Sequence, residues 1–134
     1  MARILVVDDD SSIATMLIDF LTISGFQAAS EPDGLRALQH VDLRQPDLVL
    51  LDLMLPVVTG VEVAKRLRQD PSSRHIPILA ITALDQTDEF ADILMVDSII
   101  RKPIDLELLG RRITELLRTT DDAPGPPWII ANAF

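Results

Sequence analysis

Four segments place reactive side chains directly after short apolar runs. Asp8, Asp9 and Asp10 follow "RILVV" at 3 to 7, Asp52 follows "DLVLL", Thr82 follows "IPILAI", and Lys102 follows "SIIR". Adjacent carboxylates repel one another, so three in a row call for a cation nearby. Mg²⁺ suits such a site, because it takes hard oxygen ligands, keeps several waters and is commonly completed by a substrate phosphate. A carboxylate beside it can attack phosphorus. Phosphoryl transfer also needs positive charge and hydrogen-bond donors on the equatorial oxygens, and Lys102 and Thr82 are the groups available for that.

These residues can meet only if their segments end at one edge of one structure. The runs at 3 to 7, 26 to 30, 47 to 51, 76 to 81 and 98 to 101 read as strands, three of them apolar almost throughout, as strands buried on both faces should be. Between the first two, Ile13, Met16, Leu17, Phe20 and Leu21 recur at helical spacing, with Ser11 and Ser12 as caps and Gly25 as the stop. Helices are also expected from Asp33 to about Val41, from Thr59 to Gln69, and over 105 to 118, where Leu106, Leu109, Ile113, Leu116 and Leu117 share a face. Five strand–helix units make an α/β doubly wound parallel sheet with helices on both faces, and such sheets bind ligands beyond the carboxyl ends of their strands. Asp8 to Asp10, Asp52, Thr82 and Lys102 all fall there.

At 134 residues the chain has room for one domain, and the composition narrows its partners. Twelve Lys and Arg against 21 Asp and Glu give a net charge of −9, without a dense basic stripe, so direct nucleic-acid binding is not expected. The absence of cysteine removes disulfides, thiolate metal sites and cysteine nucleophiles, and fits a reducing compartment. The most apolar run, Leu48 to Val58, is broken by Asp52 and Pro56 and is far shorter than the roughly 20 residues of a spanning helix. The N-terminal apolar stretch is too short for a signal peptide. A cytoplasmic protein with no membrane partner is expected. Residues 119–134 shift to Pro, Gly and Asp and end in Trp128, Ile129, Ile130 and Phe134, which reads as a linker or tail.

From about Ala2 to Arg118 the chain resembles the receiver domain of a two-component response regulator. The acidic pair Asp8 and Asp9, Asp52 in "PDLVLLDLMLP", Thr82 in "AITA" and Lys102 in "RKP" match the family's positions, and Pro56 and Gly60 fall where it turns after the acceptor. The resemblance implies a flavodoxin-like, CheY-like (βα)5 sheet in strand order 2-1-3-4-5, with residues 2–118 as the domain. It implies Asp52 as phosphoacceptor, with Mg²⁺ or Mn²⁺ held by Asp8, Asp9, Asp52 and the main-chain carbonyl of Met54. Thr82, Ala83 and Lys102 would bind the phosphoryl group, and the Lys102–Pro103 bond would be cis, an isomer essentially confined to X–Pro bonds. Thr82 and the position of Ile99 would form the switch, while Met54 and Leu84 would tune hydrolysis. The implied partner is a sensor histidine kinase or histidine phosphotransferase. Output would run through the face made by the fourth helix, fifth strand and fifth helix, with phosphorylation-dependent dimerisation one form of it. The chain would be a regulatory phosphoacceptor rather than an enzyme.

The chain departs from the family pattern in places. Ile99 stands where an aromatic residue is usual, and Met95 and Val96 where a small pair is usual. The Thr82-to-Lys102 interval is about two residues short, so a short or irregular fourth helix is expected over about 86 to 95. Met54 and Leu84 offer an attacking water no polar side chain, so slow self-dephosphorylation is expected. Singly, each site residue has a plainer use: helix N-terminal acids for Asp8 to Asp10, a strand-end acid for Asp52, a cap for Thr82, a surface charge for Lys102. Their joint register favours chemistry. His40 and His75 lack metal-ligand spacing and read as surface residues. A phosphorylation-independent pseudo-receiver is the alternative. A phosphatase resembling haloacid dehalogenases would need an Asp where Met54 stands, and a nucleotide site would need a glycine-rich loop in place of "DDDSS".

Overall fold

The computed structural model describes residues 1–83 and 94–122, with side chains described through 118. Strands β1 (Arg3–Val7), β2 (Gln27–Glu31), β3 (Leu48–Asp52), β4 (Ile78–Thr82) and β5 (Ser98–Arg101) form one parallel sheet in the order β2-β1-β3-β4-β5. Helices α1 (Ser11–Ile23), α2 (Gly34–Arg44), α3 (Gly60–Gln69) and α4 (Leu106–Asp122) are the helices described. The helix expected over about 86 to 95 lies almost wholly outside the described residues, as do Leu84 and residues 123–134.

Leucine, isoleucine and valine fill both faces of the middle strands. One face carries Leu5, Val7, Val49, Leu51 and Ile78 against Ala37 and Val41 of α2 and Val63, Ala64 and Leu67 of α3. The other carries Ile4, Val6, Leu48, Leu50 and Leu79 against Leu17 and Leu21 of α1 and Leu109 and Ile113 of α4. Each such side chain contributes roughly 1.5–3 kcal/mol on burial, which is why no alternation is visible in β3 or β4. Strand β2, at the edge, is largely exposed.

Local signals set the helix ends, with some differences from expectation. Asp10, not Ser11 or Ser12, caps α1, its carboxylate accepting the backbone N–H groups of Ser12 and Ile13. A carboxylate there also meets the positive end of the helix dipole. Asp33 caps α2 and Thr59 caps α3. Asp105 accepts the N–H groups of Glu107 and Leu108 at the start of α4. Gly25, at φ 96°, turns the chain out of α1. Met16 is 39% exposed, and Ala14 takes the buried place with Leu17 and Leu21. Helix α4 runs on to Asp122, past Arg118, where the apolar periodicity ends. Among the described residues no helix is long and apolar enough to cross a membrane.

A buried arginine ties the amino ends of the later strands together. Arg68, 4% exposed, donates to the carbonyls of Met95, Arg74 and Ile76 at 2.7–2.8 Å and to Asp97 Oδ2 at 2.8 Å. Asp97 Oδ2 also accepts the Ile78 N–H at 2.7 Å. Met95, held through its carbonyl, adopts φ 61°. With β4 and β5 fixed at this end, their opposite ends deliver Thr82 and Lys102.

Candidate functional site

Parallel pairing levels the carboxyl ends of the strands. Val7 lies opposite Leu51, Asp52 opposite Ile81, and Thr82 opposite Arg101. Asp8 therefore emerges beside Asp52, with Thr82 and Lys102 from the next two strands. The Lys102 N–H donates to the Thr82 carbonyl at 2.8 Å, extending the ladder to the lysine itself, and the following Lys102–Pro103 bond is cis, as expected.

Asp8 and Asp52 are each 3% exposed and Thr82 is fully buried, whereas Asp9 is exposed. Asp52 Oδ1 accepts the Met54 N–H at 2.9 Å, and its Oδ2 accepts from Lys102 Nζ at 3.3 Å. Asp8 Oδ1 accepts the Asp10 N–H at 2.9 Å. Its Oδ2 lies 3.3 Å from Lys102 Nζ but accepts no hydrogen bond among the described residues.

The charge in this pocket is unbalanced. Burial, and then the neighbouring Asp52 carboxylate, push the Asp8 carboxyl above its ordinary value, outweighing the Asp10 amide and Lys102. Burial pushes the Lys102 ammonium down, yet Asp52 and Asp8 together outweigh it and hold the lysine above its usual value. The Lys102 ammonium pairs with Asp8 and Asp52, and carboxylate oxygens of Asp8, Asp9 and Asp52 all lie within 4.8 Å of one another. A buried carboxylate oxygen without a hydrogen bond, in an all-oxygen cluster, is a donor set that fits a hard divalent cation.

Of the other expected residues, Met54, Ala83 and Ile99 are among those described and Leu84 is not. Met54, 55% exposed, follows Asp52 in the loop to α3, and Ala83 is exposed just past Thr82. Ile99, 6% exposed, belongs to the core cluster on the α2/α3 side of the sheet, level with Ala80. Gly60 is needed for space rather than for an unusual φ: a Cβ there would lie 2.2 Å from the Asp52 carbonyl oxygen.

Two arrangements near the site were not anticipated. His40 is half-buried, not a plain surface residue, and its Nδ1 lies 2.9 Å from Glu31 Oε2. The Glu31 carbonyl in turn accepts the Asp8 N–H at 3.3 Å. Val57 holds φ 65°, which a β-branched residue rarely adopts. No local sequence signal marks either. His75 is exposed, as expected.

A model of the response regulator receiver domain matches residues 4–114. The DNA-binding response regulator MtrA of Mycolicibacterium paratuberculosis is 42% identical over 135 residues, covering 97% of this chain and 57% of that protein. The DNA-binding dual master transcriptional regulator RpaA of Synechocystis sp. is 38% identical over 126 residues, covering 92% of this chain and 52% of that protein. The chain thus spans about half the length of the curated relatives it matches. Among solved structures, the receiver domain of the Francisella response regulator 1452 superposes with a TM-score of 0.81 at 26% identity, covering 90% of this chain and 99% of that one. CheY4 of Vibrio cholerae superposes with a TM-score of 0.80 at 27% identity, covering 87% and 98%. Strand order, sequence relatives and the match over 4–114 agree, and the chain belongs to the receiver domains of two-component response regulators.

Proposed function

We propose that the chain accepts a phosphoryl group on Asp52 from the phosphohistidine of a sensor histidine kinase or histidine phosphotransferase, with Mg²⁺ or Mn²⁺ bound, and signals as a regulatory domain rather than as an enzyme. The observation that carries this is the clustering of Asp8, Asp9 and Asp52 oxygens within 4.8 Å, with Lys102 Nζ 3.3 Å from Asp52. Asp8, Asp9, Asp52 and the Met54 carbonyl would hold the metal. When bound, it supplies positive charge that offsets repulsion between the carboxylates and the incoming phosphoryl group.

The chain's own residues account for the rest. An Asp52 carboxylate oxygen attacks phosphorus; the P–N bond of the phosphohistidine breaks, and its electron pair stays with the departing imidazole. Lys102, already on Asp52, is placed to shift onto a phosphoryl oxygen, while the Thr82 hydroxyl and the Ala83 N–H donate to the others. The Met54 N–H fixes the carboxylate plane through Oδ1. Movement of Thr82 toward the phosphoryl group would carry the change to Ile99 and the β5/α4 face, where a downstream protein or a second copy would read it. The apolar Met54 makes the acyl phosphate long-lived. A net charge of −9 supports a protein partner over direct nucleic-acid contact, and a cytoplasmic setting suits the proposed donor.

Intact mass after incubation with acetyl phosphate and Mg²⁺ tests this. One added phosphoryl group, lost in Asp52→Asn and after chelation, is expected. No addition in a protein that binds Mg²⁺ would leave the pseudo-receiver reading.

A further inference from the structure

Helices α2 and α3 both begin with a glycine, and both glycines press on the loop from Leu53 to Thr59. Gly60 lies against its base: a Cβ would meet the Asp52 carbonyl oxygen at 2.2 Å and Leu53 Cα at 2.6 Å, and the Gly60 N–H donates to the Leu53 carbonyl. Gly34 lies against its far limb: a Cβ would meet the Val58 carbonyl oxygen at 2.7 Å, Val63 Cγ2 at 2.8 Å and Val58 Cβ at 3.0 Å. Gly34 is buried with no positive φ, so it provides room rather than a turn.

Between the two lies Val57, 99% exposed at φ 65°. An exposed β-branched residue gains nothing from such a backbone, which persists only where its surroundings impose it. Val57 is followed by Val58, against which Gly34 lies, and by Gly60, which lies against Asp52 and Leu53. The same loop carries Met54, whose N–H fixes Asp52 Oδ1 at 2.9 Å.

We infer that Gly34, on a helix that brings no side chain to the acidic cluster, is a positioning residue for the phosphoacceptor site, seating Val58 so that the strained loop holds Met54 against Asp52. The inference rests on the reading of Asp52 and Met54 as parts of a metal-binding phosphoacceptor site. Any side chain at 34 must displace either α2 or the Val58 backbone. Because Val58, partly buried, packs against the core cluster that holds Val63, displacement passes along the loop toward Met54.

The test compares Gly34→Ala with Ala37→Gly, a substitution elsewhere in the buried face of α2 that lowers stability by removing a methyl rather than by crowding Val58. Two readouts are taken: Mg²⁺ affinity by calorimetry, and amide exchange at Met54 in the metal-free protein. Gly34→Ala is expected to weaken Mg²⁺ binding about tenfold, as loss of a residue supporting metal ligands typically does, and to speed Met54 exchange selectively. Ala37→Gly should change neither relative to global stability. If Gly34→Ala does not fold, Val58→Ala probes the same seat from the loop side, with the same expected changes. Equal effects from Gly34→Ala and Ala37→Gly, or unchanged affinity and exchange in Gly34→Ala or Val58→Ala, would overturn the inference. Failure of the wild-type protein to bind Mg²⁺ would instead overturn the reading beneath it, while the Met54 exchange comparison would still decide whether Gly34 seats the loop.

Discussion

Arg68→Met keeps most of the buried stem of Arg68 and deletes its guanidinium. The substitution strips donors from the carbonyls of Met95, Arg74 and Ile76 and leaves the Asp97 carboxylate with the Ile78 N–H but without its cation. The side chains are 3% and 16% exposed, so water replaces little of what is lost. Removing one partner of a buried pair costs about 3–5 kcal/mol. For a domain of this size that lowers Tm by roughly 10–20 °C. Asp97→Asn keeps an acceptor of similar shape and should cost less, about 1.5–3 kcal/mol, the worth of hydrogen bonds to a charged group. The double variant should fall short of the sum by at least about 1 kcal/mol, because the two side chains share one network. Urea unfolding followed by circular dichroism at 25 °C and pH 7 measures all three. Mg²⁺ affinity should be unchanged, since the pair lies at the amino ends of the strands and the acidic cluster at the carboxyl ends. An Arg68→Met cost below about 1 kcal/mol would refute the assignment of this network as the tie between α3, β4 and β5.

Three further outcomes follow from the site. The folded-state pKa of Asp8 is raised, so this group favours folding most below its unfolded value of 3.8 and loses that contribution as pH climbs through the raised value. Once pH has passed that raised value the penalty is expressed, and Asp8→Asn should then be more stable than the wild type by on the order of 1 kcal/mol in metal-free buffer. That gap should close toward pH 4 and shrink with added Mg²⁺; a less stable Asp8→Asn above the raised value would contradict it. Gly60→Ala should cost roughly 3 kcal/mol and slow phosphorylation, because the new methyl meets backbone rather than a flexible side chain; thermal unfolding and phosphorylation rates report both. Met54→Asn should shorten the lifetime of phospho-Asp52 about tenfold by giving water a polar partner, a smaller gain than full acid–base catalysis, as followed by mass over time.

The sheet was legible because its strands are buried on both faces. "RILVV" and "SIIR" mark β1 and β5 to the residue, while β2 and β3 begin one residue later than their apolar runs suggest. Capping was misplaced by one residue, since Ser11 and Ser12 cap in principle but Asp10 precedes both and brings a charge. The acidic cluster was legible because four strand ends agree on one place. Gly60 was legible as a turn position but not as a close contact, because its approach to the Asp52 carbonyl depends on a loop closing back on its strand. The Arg68–Asp97 pair spans 29 residues and leaves no local pattern. A signal existed, however: Arg68 falls on the same face of α3 as Ala64 and the core residue Leu67, whereas Lys65 and Arg66 point outward. An arginine on an apolar stripe implies buried partners elsewhere.

The central claim is that Asp52 itself becomes the acyl phosphate. Protein phosphorylated with acetyl phosphate and Mg²⁺, then reduced with borohydride and digested, tests it most directly, because borohydride converts an aspartyl phosphate to homoserine. The account predicts homoserine at position 52, absent without phosphodonor or after chelation. Homoserine at Asp8, Asp9 or any other carboxylate, with Asp52 intact, would contradict it.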